Sequence, residues 1–198
     1  MPAKFHELTG TASVRAARKR SYGNSPAVGG ASASDSLDTE EMDFVRQRDS
    51  FYMATVSETG WPYLQHRGGK PGFLRILSPS LLAFADYRGN RQLLSAGNLT
   101  ANDRVALFLM DYPRRQRLKI LGYARTIDAR AHPALLAQLA ESETHRIIER
   151  VFMIEVVSFD WNCPQYITPR FTTEEIKELV DPLRQRIAEL ETKLTHRS

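Results

Sequence analysis

The sequence contains one cysteine, Cys163, among its 198 residues. A single thiol cannot form an internal disulfide, which excludes a disulfide-stabilised secreted scaffold and favours a reducing compartment. No run of about eighteen apolar residues occurs, so no membrane-spanning helix is predicted. The opening stretch, MPAKFHELTG, has no apolar core behind its charges, which argues against a secretory signal peptide. We therefore expect a cytoplasmic protein with no membrane partner.

Three familiar site patterns are also missing. The strand–helix alternation of a doubly wound nucleotide fold is absent, and no G-x-G-x-x-G motif opens a helix. His, Cys, Asp and Glu residues do not recur at the spacing of a metal site, and no serine–histidine–acid arrangement is evident. The sequence therefore predicts neither a dinucleotide domain nor a metal centre.

Composition is that of a soluble globular protein, with 42% hydrophobic and 25% charged residues and a net charge of +4. A basic balance can indicate nucleic-acid binding. Here, however, most arginines stand singly or in pairs within strand-like segments, which favours ordinary surface charge. The basic cluster at residues 15–20 is expected to form one helical turn, and the Ala/Ser/Gly stretch after it is expected to be a loop. The cluster leaves a nucleic-acid arm as an alternative. For residues 1–36 we favour a partly flexible or partner-draped extension, and we predict no nucleic-acid partner.

Short apolar segments separated by turn residues dominate the middle of the chain. The predicted strands are FYMATVS, WPYLQHRG, FLRIL, LLAFADY, RVALFLMDY, RLKILGYARTI and VFMIEVVSFDW. Gly60 supplies a permissive turn residue between the first two, which predicts a hairpin. Six or seven closely spaced strands with few helices predict a mainly antiparallel β-barrel, since closing a sheet removes its exposed edges.

Helices are predicted around this barrel. DTEEMDFVRQRDS has acidic residues in its first turn and arginines in its last, HPALLAQLAES is a second helix, and QLLSAGNL fits a helical turn. Near the C-terminus, Thr172 and Glu175 form a capping box. An a/d stripe follows at Ile176, Val180, Leu183, Ile187, Leu190 and Leu194. The stripe is too short for an independent coiled coil, so this helix is expected to pack on its own barrel or on a partner subunit. The expected domains are residues 1–36, 37–171 and 172–198.

Four polar clusters stand at strand ends, where binding residues are commonly held. They contain Gln65, His66, Arg67 and Lys70; Asn90 and Arg91; residues 114–119 with Gln116 and Arg117; and Trp161, Asn162, Gln165 and Arg170. Arginines with a glycine at a strand-to-helix junction, as in YRGNRQ, suit an anionic ligand such as a phosphate. Each cluster alone also fits a solvated loop or turn.

Taken in order, these segments resemble a known family. QHRGGKPGFLRIL, LAFADYRGNRQ, NDRVALFLMDYPRRQRLKILGYAR and the late DWNCPQ are similar to the pyridoxamine 5′-phosphate oxidase family over residues 40–170. The resemblance implies a mainly β fold: a six-stranded antiparallel Greek-key split barrel that binds FMN, with a C-terminal helix. It also implies a homodimer with FMN at the subunit interface.

The resemblance further implies roles for individual residues. Asn90 and Arg91 would hold the FMN phosphate, and Arg67 and Lys70 would lie beside the flavin or its phosphate. The remaining cofactor-binding candidates are Gln65 and His66 on the basic strand, Gln116 or Arg117 reaching FMN from the second subunit, and Trp161. The late Trp-x-x-x-x-x-Arg-x-x-x-Arg arrangement of the vitamin B6 enzyme is replaced here by WNCPQYITPR. Pyridoxamine phosphate oxidation is therefore not expected.

The expected function is that of an FMN-dependent oxidoreductase acting on an unknown small molecule, with a nicotinamide as a possible electron donor. The flavin itself would carry the chemistry. Three alternatives stay open at this point: a flavin-storing or flavin-sensing protein, a deazaflavin-binding split barrel, and a haem-binding one. Haem would need an axial histidine, for which His66 is the candidate.

Overall fold

The strand segments pair into one sheet in the computed structural model, which describes residues 3–24, 33–140, 142–161 and 164–195. Within these residues the strands are β1 (Ser50–Val56), β2 (Pro62–Gly68), β3 (Arg75–Ser78), β4 (Leu81–Tyr87), β5 (Arg104–Asp111), β6 (Gln116–Asp128) and β7 (Ile148–Trp161). The α-helices of the same residues are α1 (Ala3–Thr9), α2 (Ala12–Tyr22), α3 (Thr39–Arg46), α4 (Leu94–Ala101), α5 (Pro133–Leu139) and α6 (Thr173–Thr195).

The chain divides into two compact units. The first comprises Met1–Met110 and Arg117–Cys163 and contains nearly all of the sheet, and the second comprises Asp111–Gln116 and Pro164–Ser198 and contains α6. No helix in the described segments is both long and apolar enough to cross a bilayer.

The sheet has the order β2-β1-β5-β6-β7-β4-β3. Antiparallel pairing joins β1 to β2 and β5, and joins β7 to β4 and β6, while β3 pairs with β4. The predicted mainly antiparallel fold with flanking helices and a C-terminal helix is confirmed. The described residues give seven strands rather than the six that the resemblance implied, and the four-residue β3 is a strand of its own.

Period-two alternation places the core on one face of these strands. On β1, Phe51, Met53 and Thr55 are buried while the intervening residues are more exposed, and β5 alternates in the same way. At the centre, the rings of Phe84 and Phe152 stack with centroids 4.8 Å apart. The core therefore lies under the sheet region that carries the candidate site.

Local sequence signals account for several element boundaries. The β1–β2 hairpin turns at Gly60, whose φ of 83° only glycine adopts without strain. Helix α3 begins with a capping box in which Asp38 and Glu41 exchange side-chain and backbone bonds. Helix α5 is shorter than the predicted segment, because it starts at Pro133 and ends where Ala140 becomes extended.

The N-terminal residues 3–24 form two helices. Helix α2 spans the basic cluster that was expected to form a single turn, and it has caps at Thr11 and Gly23. Helix α1 contacts β7, and the Lys119 ammonium lies 4.9 Å from the centroid of the Phe5 ring. Most of the Ala/Ser/Gly stretch predicted as a loop, residues 25–32, lies outside the described residues.

The second unit contains the C-terminal helix. Its predicted capping box is confirmed, since the amide of Thr172 donates to Glu175 Oε2 at 2.7 Å and the amide of Glu175 donates to Thr172 Oγ1 at 3.2 Å. The guanidinium of Arg170 lies 5.0 Å over the Tyr112 ring. None of the described residues of α6 is buried.

Candidate functional site

A cavity opens beside β2, β4 and β7, next to the N-terminus of α4. Its lining includes four of the predicted site residues: Gln65, Arg67, Asn90 and Arg91. The other polar and aromatic residues around it include Tyr63, Asp86, Tyr87, Gln92, Ser95, Glu149, Arg150 and Phe152. Two sequence clusters separated by more than twenty residues therefore meet at one cavity.

Because successive side chains of β2 point to opposite faces of the sheet, its polar residues lie on two different faces. Gln65 and Arg67 are half-buried and line the cavity, whereas His66 is exposed and its ring packs 5.5 Å from that of Tyr52. Gln65 Oε1 accepts a 2.8 Å hydrogen bond from the hydroxyl of Ser95, which ties β2 to the first turn of α4. Arg67 and His66 also line a second, adjacent cavity with Phe73.

An ion-pair network fixes the arginines of the cavity wall. Asp86 accepts from Arg67 Nη1 at 2.8 Å and from Arg150 Nη1 at 3.2 Å. Arg150 also donates to Glu149 at 2.8 Å, and Arg88 donates to the other Glu149 oxygen at 3.2 Å. The Arg67 guanidinium additionally lies 4.9 Å from the centroid of the Phe152 ring. Asp86 thus holds two cations whose positions depend on it.

The Glu149 carboxyl is biased towards its charged form. A hydrogen bond from Arg88 lowers its pKa below the ordinary 4.5, and the charges of Arg150, Arg88 and Arg91 act in the same direction against a desolvation effect. This rim of the cavity therefore keeps its carboxylate ionised, and paired with arginine, into the acid range.

The segment between β4 and α4 contains two residues with left-handed backbone conformation. Arg91 and Leu93 both have left-handed φ angles, 60° and 55°, which cost energy in non-glycine residues. Asn90 Oδ1 accepts from the amide of Gln92 at 3.2 Å, so this side chain shapes the turn. Helix α4 then starts at Leu94 without a side-chain cap, and its first residues line the cavity.

Unsatisfied donors in this cavity fit a phosphate-bearing cofactor. Arg67 Nε is buried and has no hydrogen-bond partner within the described residues. The first amides of an uncapped helix are likewise free to donate, and the helix dipole favours an anion there. Arg91 adds a guanidinium that has no carboxylate at ion-pair distance in the described part of the chain. Together these groups suit phosphate oxygens.

Other predicted site residues do not line this cavity. Lys70 is exposed in the turn after β2, and Gln116 is exposed at the start of β6. The Arg117 guanidinium lies 5.6 Å over the Phe108 ring. Trp161 donates from Nε1 to Glu41 at 2.6 Å and packs edge-on against Phe44. Gln165 and Arg170 belong to the second unit, and Asn162 and Cys163 lie outside the described residues.

Sequence reasoning missed Asp86, Arg150 and Glu149. Asp86 faces Arg150 through the β4–β7 pairing, although 64 positions separate them in the sequence. The register of that pair has no local sequence signal. Asp86 stands directly before the quoted YRGNRQ stretch, so a carboxylate preceding an arginine-rich turn was the one clue available. Among the described residues, no group of three or more His, Cys, Asp or Glu side chains could hold a metal ion.

Comparison with known proteins supports the resemblance. Residues 37–158, more than half of the chain, match the family model for pyridoxamine 5′-phosphate oxidase. A solved structure of a candidate pyridoxamine 5′-phosphate oxidase from Lactobacillus delbrueckii shares the fold, with 20% identity, a TM-score of 0.50, and coverage of 63% of this chain and 93% of that one. A comparison with curated proteins finds no match.

Two further structures are similar at lower scores. One is an FMN-binding protein from Syntrophomonas wolfei, with 10% identity, a TM-score of 0.44, and coverage of 64% of this chain and 88% of that chain. The other is the haem storage protein HutZ from Vibrio cholerae, with 16% identity, a TM-score of 0.44, and coverage of 62% and 91%.

Proposed function

The chain belongs to the pyridoxamine 5′-phosphate oxidase family, and on that premise we propose that it is an FMN-dependent oxidoreductase acting on a small molecule. One observation carries this proposal: Arg91, the unpaired Nε of Arg67 and the uncapped start of α4 converge on one cavity. Donors of these kinds at a single cavity suit a monophosphate ester. FMN provides that group, and no dinucleotide fingerprint favours FAD.

The residues of the chain would divide the work of binding. Arg91 and the first amides of α4 would hold the phosphate, with Asn90 keeping the turn in shape. When bound, the flavin supplies hydride and electron transfer. Arg67, fixed by Asp86 and Phe152, would place a positive charge beside it. A fixed cation near the flavin favours the negatively charged reduced form.

Vitamin B6 oxidation is not part of the proposal. Trp161, which stands where the family's late tryptophan motif begins, is bonded to Glu41 and packed on Phe44. The arginines of that motif have no counterpart at the family's spacing in WNCPQYITPR. We propose instead that the enzyme acts on a different small substrate and takes electrons from a nicotinamide.

We also propose that two copies share each flavin. Arg117 lies over Phe108, away from the cavity of its own chain. Its predicted role in FMN binding therefore requires a flavin held by another copy. A two-fold dimer would supply this arrangement twice with one self-complementary interface.

Haem is the main alternative cofactor. Histidine is a common axial ligand of haem, and no histidine is among the described residues that line the main cavity. His66 packs against Tyr52 and lines only the adjacent cavity. The orientation of His66 therefore favours FMN over haem in the main cavity.

Cofactor extraction tests the proposal. We expect denaturation of the purified protein to release FMN, identified by chromatography beside FMN, FAD, deazaflavin and haem standards. Recovery of FAD, deazaflavin or haem, or of no cofactor together with failure of the protein to bind added FMN, would reject it. Anaerobic addition of NADH or NADPH then distinguishes an oxidoreductase, whose flavin absorbance bleaches, from a storage protein, whose flavin stays oxidised with every donor and substrate tried.

A further inference from the structure

The C-terminal helix α6 carries an apolar stripe that the described chain leaves uncovered. Along this stripe Ile176, Leu183, Ile187, Leu190 and Leu194 are 44–67% exposed. Most of the stability of a helix in a protein comes from packing its apolar face, and large apolar side chains exposed in a row indicate a missing contact. We propose that two copies of this chain pair through α6 as a parallel two-stranded coiled coil.

The residue types along the stripe select a two-stranded parallel pairing. In heptad notation, Val180, Ile187 and Leu194 occupy position a, whereas Ile176, Leu183 and Leu190 occupy position d. In the central layers, β-branched residues therefore stand at a and leucines at d. That combination favours parallel dimers over higher oligomers.

Charges beside the stripe select the same orientation. In a parallel, in-register pair, position g of one helix meets position e of the following heptad on the other. Arg186 at g then faces Glu191 of the second copy, and the symmetric contact repeats it. An antiparallel pair with the same seam would place Arg184 opposite Arg184 and Arg186 opposite Arg186 at its centre. Like charges there disfavour the antiparallel arrangement.

Pro182 does not interrupt this seam. It occupies position c, on the side of the helix that faces away from a partner. Its missing amide leaves the carbonyl of Glu178 without a helical donor. Glu178 is at position f, also on the outer side, where water can satisfy that carbonyl. The helix continues through Pro182 to Thr195.

Site-specific disulfide formation tests the pairing directly. In a Cys163→Ser background, Ile187→Cys puts two thiols at facing a positions, within the roughly 4.4–6.8 Å Cα separation that a disulfide spans. Gln185→Cys, on the outer side at position f, is the matched control. We expect mild oxidation to convert most Ile187→Cys chains to covalent dimers on a non-reducing gel and to leave the control largely monomeric. Equal cross-linking of both variants, or none at Ile187, would overturn the proposal.

Charge reversal tests the orientation. When Arg186→Glu is added to the Ile187→Cys variant, cross-linking should become slower, because the new carboxylate at position 186 faces Glu191 of the second copy. Adding Glu191→Arg as well should restore the rate. An antiparallel pair would show no such rescue, nor would accidental collision. Circular dichroism of each variant checks that α6 stays helical, since Arg186 also pairs with Glu189 at 2.8 Å within its own helix. A loss of cross-linking without rescue, in variants that keep their helicity, would reject the parallel arrangement.

Discussion

Asp86 is the residue on which the charge balance of the cavity wall depends. Its side chain is only 13% exposed and neutralises Arg67 and Arg150, which are 15% and 18% exposed. Removing one member of a buried ion pair leaves uncompensated charge in a poorly solvated place. The network therefore holds Arg67 in the cavity wall.

Asp86→Asn should lower the free energy of unfolding by about 3 kcal/mol, because both arginines lose their common carboxylate. The matched control is Asp43→Asn, which removes an exposed pair with Arg46 in which both side chains are 56% exposed. That change should cost less than about 1 kcal/mol. Urea denaturation of the flavin-free proteins measures both. Equal effects would show that Asp86 carries no special electrostatic role.

Arg91→Ala should weaken FMN binding by about 1.5–3 kcal/mol, the usual contribution of a hydrogen bond to a charged group. The control variant is Arg130→Ala, because Arg130 is exposed in the short 3-10 helix after β6. Titration of the flavin-free proteins with FMN, followed by fluorescence quenching, gives the two affinities. Unchanged affinity in Arg91→Ala would place the phosphate elsewhere.

The site was predictable only where its residues are neighbours in sequence. Asn90 and Arg91 share a turn, and Gln65 and Arg67 share a strand face, so short-range pattern and the resemblance identified them. Asp86 and Arg150 meet through strand pairing across 64 positions, which no local signal encodes.

At the scale of elements, the long β6–β7 pairing contains a close approach of two backbones at Gly122. A register shift separates Leu121 from Gly122, and a Cβ added at Gly122 would collide with the carbonyl oxygen of Glu155. Only a residue without a side chain permits this approach of two strands. The pairing sets the position of β7, which brings Arg150 to the cavity.

Gly122→Ala should destabilise the fold by about 1–3 kcal/mol, as overpacking against fixed atoms does. Gly97→Ala is the matched control, because Gly97 lies within α4 with no atom within 4 Å of an added Cβ. Alanine there should stabilise by about 0.5–1 kcal/mol, since glycine weakens helix interiors. Thermal unfolding of both variants measures the two changes in stability. If both substitutions stabilise the protein, or both destabilise it, this account of Gly122 is contradicted.

Elements defined by local chemistry were predictable, and their arrangement was less so. The capping box at Thr172 and the hairpin turn at Gly60 follow from short-range spacing. Helix α2 is longer than the single predicted turn, because its caps at Thr11 and Gly23 enclose eleven residues. Sheet order depends on contacts distant in sequence, and the family resemblance implied an antiparallel split barrel without giving the order of its strands.

On the scale of the whole molecule, the outer face of the sheet carries a group of exposed and half-buried apolar side chains. Tyr52 and Phe108 face each other across β1 and β5, and Leu64 on neighbouring β2 is 62% exposed. Arg117, the residue predicted to reach a second subunit's FMN, lies over Phe108 on this face. Aromatic residues and arginine are enriched at protein interfaces. A partner copy seated here would cover the apolar surface and place Arg117 near its flavin.

We expect the native protein to have about twice the 22.5 kDa chain mass by light scattering. Leu64→Glu should disrupt the shared flavin site, because it buries a charge in the proposed interface. Leu8→Glu, on the 40% exposed Leu8 of α1, is the control and should leave the flavin bound. Since α6 could hold two copies together by itself, flavin release is the deciding measurement. A Leu64→Glu protein that is monomeric yet keeps one FMN per chain would contradict a site built from two subunits.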